Sequence, residues 1–247
     1  MLNREEMNSL WITTWLLAGV FVSALATEDR KLEKRQADEC DPSKTDKVMV
    51  LPGPITDYAM KENAIVYNLD AITVCMIANW NTHHVETHEN QHVFSYAVPG
   101  SDNELTLLTS PTSRVLLHGV GRDGNRGLPS DGNFHHFCFT WSNTNGDYQF
   151  WIDGEVVGKG SGLEKGGMIK KGGTVVVGQD QDKVGGDFDP EQSWIGEVSG
   201  MNVWGVVLSE SDIVAEYHDC HVFSGSVVRW SQLYACESLH GDVSVYP

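Results

Sequence analysis

The segment His136-Phe137-Cys138-Phe139-Thr140-Trp141-Ser142 places three large aromatic rings at alternate positions, with a cysteine between the first two. This period of two, in a run rich in aromatic residues, is typical of a β-strand with one face in a core. We therefore predict a strand over Phe134–Trp141 with Cys138 near its middle.

Apolar stretches of four to eight residues continue on both sides of this strand, from Lys47 onward, separated by Gly, Asn, Asp and Pro clusters. Asp153-Gly154 indicates a two-residue hairpin turn, because Gly adopts the positive φ of a type I′ turn. Many short strands without alternating helices favour an all-β sandwich or jelly roll over an α/β fold. The predicted strands are Ile72–Ile77, His92–Val98, Glu104–Leu108, Arg114–Leu117, Phe134–Trp141, Tyr148–Ile152, Glu155–Val157, Thr174–Val177 and Ile195–Trp204.

One helix is predicted after Ser209, in the sequence SDIVAEYH. Asp212 follows Ser209 by three positions, which resembles a capping box. Ile213, Val214 and Tyr217 share one face of that helix. We expect it to cover a face of the sandwich.

The chain is acidic, with 17 Lys and Arg against 34 Asp and Glu among 247 residues. Residues 1–35 hold five basic and five acidic side chains, so the remainder carries the whole net charge of −17. This balance disfavours a nucleic-acid partner, which requires basic surfaces, and suits a protein that binds cations. High charge also increases solubility, so charge alone does not separate these two explanations.

The N-terminus resembles a secretory signal peptide, because the apolar residues 10–26 end in the small-x-small site Ala24-Leu25-Ala26. We predict a signal peptide over 1–26 and a secreted, extracellular protein. The alternative is an uncleaved anchor, since 17 apolar residues reach the lower limit for a membrane span. Residues 27–46 are predicted to be a propeptide or linker, and Lys34-Arg35 is a candidate processing site.

Five cysteines occur in the sequence: Cys40, Cys75, Cys138, Cys220 and Cys236. In a secreted chain an odd number indicates two internal bridges and one remaining thiol. Cys40 lies in a polar segment and is the natural unpaired residue. Cys75 and Cys138 both lie in predicted strands, and alternation lets both sulfurs point into the sandwich interior.

The segment 136–142 matches the pentraxin signature His-x-Cys-x-Ser/Thr-Trp-x-Ser/Thr at every fixed position, and the sequence resembles this family from about Lys47 to Trp230. The resemblance implies a two-sheet jelly roll, similar to concanavalin and laminin-G domains, with one helix packed on a face. It implies a pentraxin domain over 47–230 and a C-terminal tail over 231–247. It also implies a Cys75–Cys138 bridge, which leaves Cys220 and Cys236 to pair and tie the tail.

The resemblance further implies that each subunit binds two calcium ions. Calcium takes six to eight oxygen ligands, and short acidic side chains on a Gly-rich loop can supply them. Four carboxylates facing two divalent ions are also close to charge balance. The first ion would take Asp102, Asn103, Asp180, Asp182 and the backbone carbonyl of Gln181; the second would take Asp180, Asp182, Asp189 and Gln192.

Two features differ from the family pattern. Pentraxins usually have Glu where this chain has Asp180, so the shorter side chain makes the second ion the less certain one. Members that bind phosphocholine hold the choline with an aromatic and an acidic residue, but here Leu108 and the region of Arg122 occupy those positions. Phosphate esters, acidic or pyruvylated sugars, and phosphoethanolamine therefore remain candidate ligands.

The implied function is that of a calcium-dependent, lectin-like recognition protein of innate immunity, which assembles as a cyclic homo-oligomer, most simply a pentamer. An adhesive or membrane-tethered protein is the alternative. A glycan hydrolase is disfavoured, because no run of alternating acids supplies the two catalytic carboxylates. We expect neither enzymatic activity nor a stable membrane span.

A cluster of histidines forms a further candidate metal site. His84, His88 and His92 have helical spacing, and His83 adjoins them. Such a group can hold a transition metal. The simpler interpretation places all four in an exposed loop between two strands.

Overall fold

A computed structural model of the chain describes residues 47–53, 55–80, 91–219 and 224–247. Within these ranges fourteen strands form two antiparallel sheets of seven strands each. The strands are β1 (Val48–Leu51), β2 (Tyr58–Lys61), β3 (Ala71–Trp80), β4 (His92–Val98), β5 (Ser101–Leu108), β6 (Arg114–Leu117), β7 (Val120–Asp123), β8 (His135–Ser142), β9 (Asp147–Ile152), β10 (Glu155–Gly160), β11 (Thr174–Val177), β12 (Gly196–Trp204), β13 (Leu239–His240) and β14 (Ser244–Tyr246).

The two sheets enclose one apolar core. Sheet A has the order β10-β9-β8-β3-β12-β1-β14, and sheet B has the order β13-β2-β11-β4-β5-β6-β7. Phe137 and Phe139 of sheet A share a buried cluster with Phe94 and Leu105 of sheet B. The predicted all-β jelly-roll sandwich is therefore confirmed.

The aromatic strand β8 lies between β3 and β9, and its successive side chains point alternately to the two faces of sheet A. Phe137, Phe139 and Trp141 point into the core between the sheets. Cys138 lies directly opposite Cys75 on β3, and the two form the predicted disulfide.

The location predicted for this disulfide is wrong. Cys75 and Cys138 pack with Trp151, Trp204 and Ile213 in a second cluster, apart from the core between the sheets. The sulfurs alternate with the core aromatics, so they occupy the opposite face of sheet A. The bridge therefore lies beneath the helix rather than inside the sandwich.

The helix α1 (Glu210–Asp219) begins one residue after Ser209. The Asp212 N–H donates to Ser209 Oγ at 3.2 Å, and the Asp212 carboxylate accepts from the Ser209 N–H at 3.2 Å. These reciprocal bonds are those of a capping box. Ile213 is buried against sheet A, whereas Val214 and Tyr217 are only half-buried.

The C-terminal segment 231–247, which we expected to be a tail, contributes strands to both sheets. It includes most of the short helix α2 (Trp230–Leu233) and a 3₁₀ turn at Cys236–Ser238. Strand β13 pairs with β2 in sheet B, and β14 pairs with β1 in sheet A. The C-terminal segment therefore forms one edge strand of each sheet.

Several predictions fall on residues outside the described ranges: the signal peptide, Lys34-Arg35, Cys40 and Cys220. Cys236 is exposed and forms no disulfide with a cysteine of the described residues. Because Cys220 is not among them, the Cys220–Cys236 pair stays a prediction. Among the described helices, none combines the length and apolar character that crossing a membrane requires.

Candidate metal centre

The acidic loop, which we define as residues 178–195, connects β11 of sheet B to β12 of sheet A. Gln181 anchors it to sheet B. Its Nε2 donates to Ser95 Oγ at 3.0 Å and to the Thr174 carbonyl at 3.0 Å, and its Oε1 accepts from the Gly185 N–H at 2.8 Å. The side chain is occupied by these bonds, which leaves the backbone carbonyl as the oxygen that Gln181 offers to an ion.

Asp180 is buried, with 2% of its surface exposed. Its Oδ1 accepts from Thr106 Oγ1 at 3.3 Å. Thr106 Oγ1 also lies 3.3 Å from Asn103 Oδ1, so one hydroxyl on β5 links the acidic loop to the start of β5. Asp102 lies next to Asn103 and is exposed. Thr106 is a site residue that the sequence analysis missed, although its place on β5 is an outward one between Leu105 and Leu107.

Asp182 stands among other carboxylates. Partial burial, followed by the negative charges of Asp180, Asp102 and Asp189, raises its pKa above the ordinary value, while His92 acts in the opposite direction. Like charges near a carboxylate disfavour its ionisation, so the charges of Asp180, Asp102 and Asp189 all act on Asp182. A bound divalent cation would remove the repulsion.

The far end of the acidic loop is a 3₁₀ turn over Pro190–Gln192. Asp189 caps it, since its Oδ1 accepts from the Glu191 N–H at 2.9 Å. Gln192 Oε1 is buried and has no hydrogen-bond partner among the described residues. Burying a polar atom without a partner is unfavourable, so this oxygen is available to bind a cation.

His92 does not lie in an exposed loop, as the sequence analysis had favoured. It is the first residue of β4 and is 3% exposed. Its Nδ1 lies 3.4 Å from Asp180 Oδ2 but is not oriented to form a hydrogen bond with it. His83, His84 and His88 lie outside the described residues.

One residue of the acidic loop belongs to a stack of three rings. The ring of Phe188 lies 4.6 Å from that of Tyr58 on β2, and Tyr58 stacks on His240 of β13 at 4.5 Å. Phe188 directly precedes Asp189. The stack therefore joins the C-terminal segment to the part of the loop that carries one of the four carboxylates.

Two arginines lie along sheet B from the acidic loop. Thr106 pairs with Leu116, which pairs with Gly121, so Gly121 is about 10 Å from Thr106 across two strand spacings. A Cβ at Gly121 would lie 2.9 Å from an Arg114 nitrogen, and Arg122 donates to the Gly121 carbonyl at 2.7 Å. By the same register Arg122 pairs with Val115 of the core, so Arg114 lies on the Thr106 face of sheet B whereas Arg122 starts from the opposite face.

Leu108 and Arg122 occupy the positions for which the family comparison suggested choline contacts. Leu108 is 3% exposed and so offers little surface to a ligand. Arg114, beside it on β6, is 46% exposed and lies 3.5 Å from Asp123, which is 57% exposed. The surface next to the acidic loop carries no aromatic face at Leu108, and Arg114 is a cation beside that position.

Comparison with known proteins gives one family. The Pentaxin family matches residues 47–247. C-reactive protein of Rattus norvegicus is 33% identical over 203 residues, which cover 80% of this chain and 83% of that protein. Neuronal pentraxin-2 of Mus musculus is 38% identical over 140 residues, which cover 56% of this chain but only 32% of that longer protein.

Among solved structures, a native heptameric SAP-like pentraxin from Limulus polyphemus superposes with a TM-score of 0.65 at 25% identity. The superposition covers 81% of this chain and 94% of that one. The likeness thus extends over the fold as well as the sequence.

Proposed function

This chain belongs to the pentraxin family, and from that premise we propose that it is a secreted, calcium-dependent recognition protein of the innate-immune, lectin-like type. The observation that carries the proposal is that Asp182 is partly buried within reach of the charges of Asp180, Asp102 and Asp189, which together raise its pKa. Four carboxylates beside buried amide and hydroxyl groups form the oxygen-rich environment that calcium prefers.

Two ions are proposed, and they divide the ligands between the two sides of Asp180. Asp102, Asn103 and the Gln181 carbonyl would hold the first, and Asp189 and Gln192 the second, with Asp180 and Asp182 shared. The buried, unpartnered Oε1 of Gln192 supports the second position. When bound, the ions supply positive charge on which an anionic ligand group can rest.

The proposed ligands are phosphorylated or acidic carbohydrate and lipid headgroups. Arg114, on the Thr106 face of sheet B beside Gly121, favours a second anionic or hydrogen-bond-accepting group beside the ions. It disfavours the quaternary ammonium of choline, which also lacks an aromatic face here. We therefore expect phosphomonoesters without a quaternary ammonium, and acidic sugars, to bind more tightly than phosphocholine.

We also propose a cyclic homo-oligomer. The Limulus polyphemus relative is a heptamer, so a ring is compatible with this fold, although a pentamer remains our expectation from the sequence. Cyclic closure requires a heterologous interface between unlike faces of neighbouring subunits. No catalytic activity is proposed.

Capture on immobilised phosphomonoesters, acidic glycans and phosphocholine, with and without chelator, tests the function. Binding should require calcium and should be lost in Asp182→Asn, because that carboxylate is shared by both ions. Calcium affinity should be modest, on the order of 10⁻⁴ to 10⁻³ M. Gln192→Ala should weaken only the second ion in calorimetry.

Asp219→Asn is the matched control, since Asp219 is an exposed carboxylate at the end of α1 on sheet A. It should bind calcium and ligand as the unmodified protein does. Capture that survives chelator would overturn the calcium-dependent function and favour an adhesive role. Turnover of any glycan would overturn the non-enzymatic assignment.

A further inference from the structure

Two of the residues proposed to bind the first ion lie where β5 departs from regular pairing with β4. The register of the two strands shifts there, so Asp102, Asn103 and Glu104 together stand opposite Ala97 alone. We call these three residues the β5 bulge. A bulge interrupts the ladder of hydrogen bonds and re-aims side chains, and it is common next to functional sites. Contacts from elements other than β4 must therefore hold Asp102 and Asn103 in place.

The backbone of the β5 bulge is held by the turn between β6 and β7. His118 and Gly119 form this two-residue turn, with φ angles of 51° and 76°. Positive φ at both positions is the signature of a type I′ hairpin. The Gly119 N–H donates to the Asn103 carbonyl at 3.1 Å, and the His118 N–H donates to the Glu104 carbonyl at 3.3 Å. The turn that contains His118 thus supports a proposed ion ligand directly.

The side chain of Glu104 is a buried carboxylate, with 0% of its surface exposed. Its Oε1 accepts from the Lys170 N–H at 2.6 Å, and its Oε2 lies 3.7 Å from Lys170 Nζ. The ring of His118 lies between two carboxylates: Nε2 is 3.3 Å from Glu104 Oε1, and Nδ1 is 2.9 Å from Glu164 Oε2. Burying a carboxylate is unfavourable without such partners, so the orientation of Glu104 depends on His118 and Lys170.

The same contacts tie the β5 bulge to a segment that is remote in sequence. Glu164 and Lys170 both belong to residues 161–173, which connect β10 of sheet A to β11 of sheet B. The Lys170 carbonyl accepts from the hydroxyl of Tyr96, a core residue of β4, at 2.6 Å. This segment is therefore fixed against sheet B, and His118 joins it to the β5 bulge.

We infer that His118 and Glu104 are positioning residues for the first ion, which hold the β5 bulge in the shape that presents Asp102 and Asn103. The inference rests on the proposed two-ion site and adds residues that are not ligands themselves. Asp189 and Gln192, which belong to the second ion alone, lie on the acidic loop rather than in the bulge. Coupling between two sites is reciprocal, so calcium at the first position should in turn stabilise the contacts of His118 and Lys170.

Calcium calorimetry on His118→Asn in the full chain tests the inference. Asn tolerates the positive φ of this turn but is too short to contact both carboxylates. We expect the affinity for the first ion to fall about threefold to tenfold and that for the second to change less than about twofold, because the lost contacts position only the β5 bulge. Gln192→Ala, which should weaken only the second ion, identifies the two steps of the titration.

His135→Asn is the matched control, because the ring of His135 also lies between two carboxylates, those of Asp131 and Asp153, but belongs to β8 of sheet A. It should leave both calcium affinities unchanged. Equal first-ion affinity in His118→Asn and His135→Asn would overturn the inference. An equal loss for both ions in His118→Asn would overturn it too.

Amide hydrogen exchange on the unmodified chain needs no variant at residue 118. Calcium should slow exchange at the Gly119 and Lys170 amides, which donate to Asn103 and Glu104, by about threefold or more. The Asn125 amide, which donates to the Val157 carbonyl, is the reference for any general stabilisation by calcium. Gly119 and Lys170 amides that respond no more than Asn125 would overturn the inference, even if His118→Asn fails to fold.

The outcomes separate this inference from the proposed function. Calcium binding whose first step does not depend on His118 would overturn the positioning role and leave the calcium-dependent function intact. Absence of any calcium binding by the unmodified chain would overturn the proposed function, and the positioning role with it.

Discussion

The imidazole of His135, at the start of β8, lies between two carboxylates. Its Nδ1 is 2.7 Å from Asp153 Oδ2, and its Nε2 is 3.1 Å from Asp131 Oδ1. Burial alone would disfavour the charged ring, but the hydrogen bonds to Asp153 and Asp131 outweigh it and raise the pKa of His135. The charged ring thus ties the segment before β8 to the Asp153-Gly154 hairpin.

This arrangement predicts a pH-dependent contribution to stability. Because the folded-state pKa of His135 is raised, its contribution is fully present below the unfolded value, about 6.5, and is lost as the pH rises through the folded value. His135→Gln should lower the free energy of unfolding by about 1 kcal/mol at pH 5.5 and have little effect at pH 9. Urea unfolding at both pH values measures this difference.

Asp153→Asn is a suitable comparison, because it keeps the size of the turn residue while removing the charge opposite the ring. It should reduce the same pH dependence. An equal loss of stability in His135→Gln at both pH values would show that the ring contributes by packing rather than by its charge.

At the scale of residues, the sequence predicted the chemical type of the site residues better than it predicted which side chains would surround them. It selected Asp180, Asp182 and Asp189 as carboxylates of one site; the charges of Asp180 and Asp189 act on Asp182, and their shared metal site stays a prediction. It did not identify Thr106 or the burial of His92, because both depend on which strands become neighbours. The period of two had already fixed the face of Cys138, because its sulfur alternates with the core rings of Phe137 and Phe139.

Among the elements, the stack of Phe188, Tyr58 and His240 makes a testable link between the C-terminal segment and the acidic loop. Phe188→Leu keeps an apolar side chain but removes the ring contact that positions Asp189. We expect calcium binding at the second position to weaken about threefold to tenfold, since a ring contact contributes about 0.5–1.5 kcal/mol.

Tyr67→Leu is the control for this prediction, because Tyr67 is half-exposed outside the stack. Calorimetry on both variants measures the effect. Unchanged calcium affinity in Phe188→Leu would mean that the hydrogen bond of Asp189 to its own turn suffices to hold the carboxylate.

Three strands were predicted with the right bounds: His92–Val98, Arg114–Leu117 and Thr174–Val177. The missed strands, β1, β2, β7, β13 and β14, have two to four residues each. They are strands because a distant partner pairs with them, as Leu239 does with Ala59.

At the scale of the whole molecule, the two sheets have different roles in stability and in binding. Sheet A carries the Cys75–Cys138 bridge and α1, whereas the acidic loop is anchored on sheet B. The double variant Cys75→Ala/Cys138→Ala should lower the free energy of unfolding by about 4 kcal/mol, because the bridge closes a loop with a sequence separation of 63 residues. Calcium affinity of the folded variant should change less than about twofold.

Guanidinium unfolding and calcium calorimetry on the same preparation test this separation. Cys236→Ser serves for comparison, and should lower stability less, because a bridge to Cys220 would close a shorter loop. A double variant that unfolds at the same denaturant concentration as the unmodified protein, or that loses calcium binding while folded, would contradict the division between the sheets.

The acidic loop is one of the covalent connections between the two sheets, whereas Arg114 and Arg122 belong to a hairpin at the free edge of sheet B. An insertion in the acidic loop would disturb the packing of both sheets. The β6–β7 hairpin has a neighbouring strand on one side only, so a change there disturbs less of the fold. Substitutions within residues 114–123 can therefore change the preferred ligand during evolution while the proposed ion ligands stay the same. The same hairpin is where an engineer would graft a new specificity.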